Sequence, residues 1–138
     1  MLSLLSAQEL ADICGGLWHP APPSGNARGI KIDSRALDKG NIFVALKGAR
    51  SDGHDFVSQL DATDIFAAIV EHAVANTEVA QLVVTDALVA LQTLAQNCAL
   101  RTTATKLAIT GSVGKTGTKE MLAHLLASAG KAHATRGN

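Results

Sequence analysis

One segment restricts this chain more than any other: Lys106 to Glu120, KLAITGSVGKTGTKE, where a short apolar run enters a glycine turn and leaves as a helix. Leu107, Ala108 and Ile109 read as a strand, and Met121, Leu122, Leu125, Leu126 and Ala129 share one face of a following helix with Gly130 placed as its C-cap. Strand, turn and helix in that order call for an α/β layer arrangement. Backbone N–H groups in a glycine turn and at a helix N-terminus converge on phosphate oxygens, so Thr110, Gly111, Ser112, Val113, Gly114, Lys115 and Thr116 form a candidate phosphate cradle. Lys115 adds a mobile cation, and Thr116 a hydroxyl suited to magnesium. The full phosphate-loop pattern requires a glycine at position 109, where this chain has Ile109, so only the compact GxxGKT form is present. The bland reading is a glycine-rich connection in which Lys115 is a solvated charge.

A length of 138 residues accommodates about one domain and the start of another, which excludes a complete multidomain enzyme. Hydrophobic residues make up 47% of the chain and aromatics only 3%, so the core must be aliphatic and alanine-rich. Twelve basic residues balance twelve acidic ones, which removes any general electrostatic attraction to nucleic acid or an anionic membrane. Trp18 and the three phenylalanines are too scattered for a base-stacking platform. Cys14 and Cys98 lie in no CxxC or Cys/His cluster and read as free, buried thiols. His19, His72, His124 and His133 lack metal-ligand spacing, and Asp61, Asp64 and Glu71 read as a solvated face rather than a catalytic carboxylate pair. Met1-Leu-Ser-Leu-Leu has no basic start or cleavage site, and no apolar run reaches the roughly 18 residues of a membrane span, so a soluble cytoplasmic protein is expected.

Along the chain, Ser6-Ala7-Gln8-Glu9 has the form of a capping box opening a short helix that Gly15-Gly16 ends. Pro20 to Gly25 reads as a loop, Gly29 to Asp33 as a half-buried strand, and Asn41 to Leu46 as the most strand-like run. Lys47 to Gly53 is a polar loop, His54 to Leu60 starts a helix, and Ile65 to Val70 and Gln81 to Thr85 are buried strands, though the first also suits a helix. Asp86 caps a helix carrying Leu88, Leu91, Leu94, Ala95 and Cys98. The domain boundary is expected near residue 85, dividing the chain into residues 1–85 and 86–138.

Three segments in order, IDSRALDKGNIFVALKG, DGHDF and TGSVGKTGTKEM, resemble the cytoplasmic muramyl ligases of peptidoglycan synthesis. The family uses the compact TGxxGKT loop, so Ile109 counts toward it and against ordinary phosphate-loop proteins. DGHDF and Thr118-Lys119-Glu120-Met121 look most like the members that add D-alanyl-D-alanine. The resemblance covers residues 7 to 138 and implies a small N-terminal UDP-substrate-binding α/β domain followed by the first βαβ portion of an ATPase domain. Ala132-His133-Ala134-Thr135 is similar to the next strand of that domain, and Thr135-Arg136-Gly137-Asn138 to the start of a further motif. The family has three domains, so the resemblance implies an N-terminal fragment that is inactive alone. The acid completing the magnesium site, the carbamylated lysine, the adenine and ribose contacts and the C-terminal domain have no counterpart in this sequence.

The resemblance also implies roles. ATP and magnesium bind the loop from Thr110 to Thr116, with Lys115 and Thr116 the catalytic contacts and Thr116 the metal ligand. UDP-N-acetylmuramoyl-tripeptide meets Ser34, Arg35, Lys47, Gly48, Ala49 and Arg50, and D-alanyl-D-alanine is the second substrate. No nucleic acid or membrane partner is implied, and a monomer is expected. Gly117 departs from the second threonine or serine common in the family. Without the resemblance, Ser34 and Arg35 read as a strand-end turn with a surface ion pair, and His54 as either a substrate contact or helix packing. Alternatives are another ligase of the superfamily, such as the one adding the third peptide residue or a folylpolyglutamate synthase, and a stand-alone nucleotide-binding module without catalysis.

Overall fold

The computed structural model describes residues 5–135. By packing they divide into two compact units, one ending at Thr102 and one beginning at Thr103.

In the first unit, strand β1 (Leu5–Ser6) runs straight into helix α1 (Ala7–Cys14), which opens on the expected capping box. The Ser6 hydroxyl accepts the Glu9 N–H at 3.3 Å, and the Glu9 carboxylate accepts the Ser6 N–H at 2.9 Å. Gly15 ends the helix at φ 67°, a left-handed position that glycine occupies without penalty. Strands β2 (Leu17–His19), β3 (Asn26–Ala27) and β4 (Gly29–Lys31) follow, then a 3-10 turn at Ser34–Ala36 and β5 (Asn41–Val44). Helix α2 (His54–Val57) is a single turn, shorter than expected, and precedes β6 (Ile65–Val70), β7 (Gln81–Val83) and helix α3 (Ala87–Leu100). The main sheet has the order β2-β7-β6-β5-β4, with β4 to β7 mutually parallel and β2 antiparallel at one edge; β1 and β3 form a separate antiparallel pair. Ile65–Val70 is therefore strand, the choice its sequence left open.

Alternation along β5 sends Ile42 and Val44 to one face of the sheet and Phe43 and Ala45 to the other. The first face packs with Leu10 of α1 and Ala87, Ala90 and Leu94 of α3, and the second with Val57 of α2. Between Asn41 and Ile42 the pairing with β6 skips Phe66, a bulge that lets Phe66 and Ala67 join the same cluster. Both faces being covered explains why β5 and β6 read as continuous apolar runs, every residue of each being buried.

Two expectations change here. Asp86 does cap α3, accepting the Val89 N–H at 2.8 Å, but the buried stripe is Ala87, Ala90 and Leu94, and Leu88 is 51% exposed. Because α3 packs in the same cluster as α1, it belongs to the first unit, and the division falls after Thr102 rather than near residue 85.

In the second unit, helix α4 (Lys115–Ala127) starts at the expected place. Leu107–Ile109 and Ala132–Thr135 are not strands, since a strand is defined by a hydrogen-bonded neighbour and none pairs with them among the described residues. Ser128, not Gly130, is the C-cap; the Gly130 N–H still donates to the Leu126 carbonyl at 3.1 Å. Leu107, Met121, Leu125 and Leu126 are exposed. Residues 136–138 of the expected further motif, and residues 1–4, lie outside the described residues.

Candidate functional site

The loop before α4 is shaped by its glycines. Gly114, the N-cap, has φ 82°, and Gly111 has φ 149°. A side chain at either position is strained, and a Cβ on Gly114 would meet no atom within 4 Å, so the space over the helix N-terminus is open. No side chain caps α4 and its first turn carries no acidic residue, which leaves the positive end of the helix for an anion. Lys115 folds back across the loop, its Nζ donating to the Gly111 carbonyl at 2.6 Å. Thr110, Gly111, Ser112, Val113, Gly114 and Thr116 are exposed along the loop and Lys115 is half-buried. These residues fit a phosphate group: open glycines, an uncapped helix end and an ammonium held over the turn. A hollow of about 460 Å³ in the same unit lies under α4 and is lined by Leu107, Ile109, Lys115, Lys119, Leu122 and Thr135. For a metal, the chain offers the Thr116 hydroxyl; no group of three His, Cys, Asp or Glu side chains able to hold an ion occurs among the described residues.

The second candidate site is built by topology. Parallel β4, β5 and β6 end at one edge of the sheet, so the segments following them, from Asp33, Lys47 and Glu71 respectively, emerge there. Asp33 caps the Ser34–Ala36 turn by accepting the Arg35 N–H at 3.0 Å, and its two oxygens take the Arg35 Nε and Nη2 at 2.9 Å each. This fork holds the Asp33 carboxyl down at about 2, first through the Arg35 side-chain hydrogen bonds and then through the Arg35 amide. The surface ion pair read from the sequence is thus present, beside Ser34. The loop after β5 is a miniature hairpin: Lys47 bridges Asp52, and the Gly48 N–H donates to the Ser51 carbonyl at 2.9 Å, leaving Ala49 and Arg50 at an exposed tip.

Three roles escaped the sequence. Gly53 brings the hairpin back against the end of β5 so closely that a Cβ would sit 2.8 Å from Ala45 Cα and Leu46 N. Glu71, read as solvated, accepts the Ala87 N–H at 3.0 Å and so anchors the first turn of α3. Gln81 is 1% exposed and clamps the loop after β6, its amide accepting the Val74 N–H at 2.7 Å and donating to the Val74 carbonyl at 2.9 Å. A polar residue inside an apolar strand is the one signal that pointed to Gln81. Asp61 accepts the Thr63 amide and hydroxyl, both at 2.8 Å, a turn contact and not half of a catalytic pair. Cys14 and Cys98 are free and half-buried, and burial pushes the Cys14 thiol up to about 11.

Two family models match successive parts of the chain. Residues 26–109 match the model of the Mur ligase family catalytic domain, and residues 109–138 that of the Mur ligase middle domain. The UDP-N-acetylmuramoyl-tripeptide--D-alanyl-D-alanine ligase of Synechocystis is 41% identical over 79% of this chain and 24% of its own length. A crystal structure of MurF from Acinetobacter baumannii superposes with a TM-score of 0.80 at 40% identity, over 99% of this chain and 30% of that one. MurF ligase from Thermotoga maritima, solved in complex with ADP, gives a TM-score of 0.61 at 34% identity, over 74% of this chain and 24% of that one. The chain therefore spans about a quarter to a third of the length of the relatives it matches. With more than half of its residues inside the first family model and the phosphate loop inside the second, this chain belongs to the Mur ligase family.

Proposed function

We propose that this chain supplies the substrate-nucleotide domain and the phosphate loop of an ATP-dependent ligase that joins D-alanyl-D-alanine to UDP-N-acetylmuramoyl-tripeptide. The observation that carries the reading is the uncapped α4 N-terminus behind left-handed Gly114, with Lys115 Nζ folded over the loop, in a chain of this family. The first unit would receive the uridine nucleotide, and the second would begin the ATP-binding domain. In this reading the peptide carboxylate attacks the γ-phosphorus of ATP, releasing ADP and leaving an acyl phosphate. The dipeptide amine then attacks the acyl carbon, and phosphate leaves as the amide forms.

Phosphoryl transfer depends mainly on positioning and charge stabilisation, and the residues here supply both. The loop from Thr110 to Thr116 aims backbone dipoles at the phosphates, and Lys115 exchanges the Gly111 carbonyl for a phosphate oxygen. The Thr116 hydroxyl would hold magnesium, which would supply positive charge to stabilise the phosphates. At the other site, the Ser34 turn and the Lys47, Gly48, Ala49 and Arg50 hairpin would receive UDP. Arg35 is already forked onto Asp33, so its first service is to hold the Ser34 turn. No helix of the described residues is long and apolar enough to cross a membrane. With soluble nucleotide substrates, we place the reaction in the cytoplasm and expect a monomer.

Calorimetry of this chain with UDP-N-acetylmuramoyl-tripeptide tests the reading. Weak binding is expected, weakened further by Ser34→Ala. Equal affinity in the two proteins would remove Ser34 from the site, and no binding at all would overturn the assignment of the first unit.

A further inference from the structure

His54 is the one buried histidine of the first unit, 5% exposed, and both of its ring nitrogens are engaged. Nδ1 lies 2.6 Å from the Asp52 carboxylate, whose oxygen also accepts the His54 N–H at 3.0 Å. Nε2 accepts the Glu71 N–H at 2.9 Å. An amide can only donate, so Nε2 carries no proton and the ring is the neutral Nδ1–H tautomer. These contacts join the returning arm of the Lys47–Asp52 hairpin to the end of β6. The Glu71 carboxylate continues the connection to the Ala87 N–H of α3. One element thereby ties the hairpin to two rigid parts of the unit.

We propose that His54 is a positioning residue for uridine-nucleotide binding, one whose neutral Nδ1–H tautomer holds the Lys47–Asp52 hairpin in its receiving geometry and whose protonation at Nε2 releases it. The inference rests on the nucleotide-binding reading of the first unit given above. A proton on Nε2 would set a donor against the Glu71 N–H, and the latch must then open on that side. The charged groups around the ring are Asp52 on the hairpin, Asp55 on α2 and Glu71 just past β6. His72, two residues past β6, stacks on His54 with ring centroids 4.3 Å apart and 11° between planes. Lys47, bridged to Asp52, adds a cation on the hairpin side. A solvent-open hollow of about 540 Å³, lined by His54, Asp55, Ser58, His72, Val74 and Asn76, gives protons access.

The test has two readouts on the full chain. Imidazole ¹⁵N shifts of the wild type should report the Nδ1–H tautomer at about pH 8, with the Glu71 amide shifting together with the ring nitrogens when the solution is acidified to about pH 5.5. Calorimetry with UDP-N-acetylmuramoyl-tripeptide should show binding about three- to tenfold weaker at the acid end, the worth of one lost hydrogen bond in the site's support. His72→Gln should keep that pH dependence. His54→Gln should abolish it, because its amide oxygen can accept from Glu71 and does not titrate. An Nε2–H tautomer in the wild type, or the same pH dependence in His54→Gln as in wild type, would overturn the inference alone. Absence of binding at every pH would instead remove the nucleotide reading and the inference with it. Should His54→Gln fail to fold, the wild-type nitrogen shifts still decide whether the latch exists.

Discussion

A Cβ on Gly53 would press on the backbone of Ala45 and Leu46, just past β5, at 2.8 Å, and backbone cannot turn aside as a side chain can. Gly53→Ala should therefore destabilise the first unit by about 1–3 kcal/mol, read as a lower urea midpoint at unchanged slope. An unchanged midpoint would show that the hairpin shifts freely. Lys115 is a residue of the opposite kind, reaching over an open loop and supporting no core contact. In the intact ligase, Lys115→Ala should lower the rate of phosphate release by roughly two orders of magnitude or more while leaving the fold intact. Lys115→Arg should fail too, since a planar fork does not replace a compact ammonium between phosphates. Near wild-type phosphate release in either folded variant would return Lys115 to the role of a solvated charge.

Helix α3 shows what periodicity reveals about an element and what it hides. Its N-cap at Asp86 and its length follow from local chemistry that holds in any context, because an Asx side chain accepts an orphan amide wherever a helix starts. Its buried stripe does not, since apolar residues outnumber the positions of one face. Ala87 and Ala90 let the helix approach the sheet closely, and that choice turns Leu88 outward although its spacing suits a core position. Leu94→Ala, at a site with no exposure, should cost about 2–5 kcal/mol, whereas Leu88→Ser should change stability by no more than about 0.5 kcal/mol. Comparable losses at both sites in denaturant unfolding would mean that α3 is rotated from the position described.

Across the whole molecule the two units differ in what protects them. Strands β5 and β6 are buried throughout, while α4 has no buried residue. Amide exchange of this chain should be slowest in β5 and β6 and much faster in α4, whose stability rests on local hydrogen bonds. Slow exchange in α4 matching that of β5 would contradict this ordering. The sequence by itself determined the elements whose signals are local: the capping box at Ser6, the strand run at 41–44, the Asp86 cap of α3 and the Gly-Lys-Thr turn into α4. Each depends on residues within a few positions of one another, and such chemistry survives without knowledge of the fold. Tertiary structure alone decided the rest. Short strands such as Leu17–His19 exist because a neighbour pairs with them, and Leu107–Ile109 is not a strand because none does among the described residues. The unit boundary moved past α3 because its alanine face packs with α1, a contact between residues some eighty positions apart. His54, Glu71 and Gln81 took their roles in the same way, from hydrogen bonds to backbone groups that only the folded chain brings within reach.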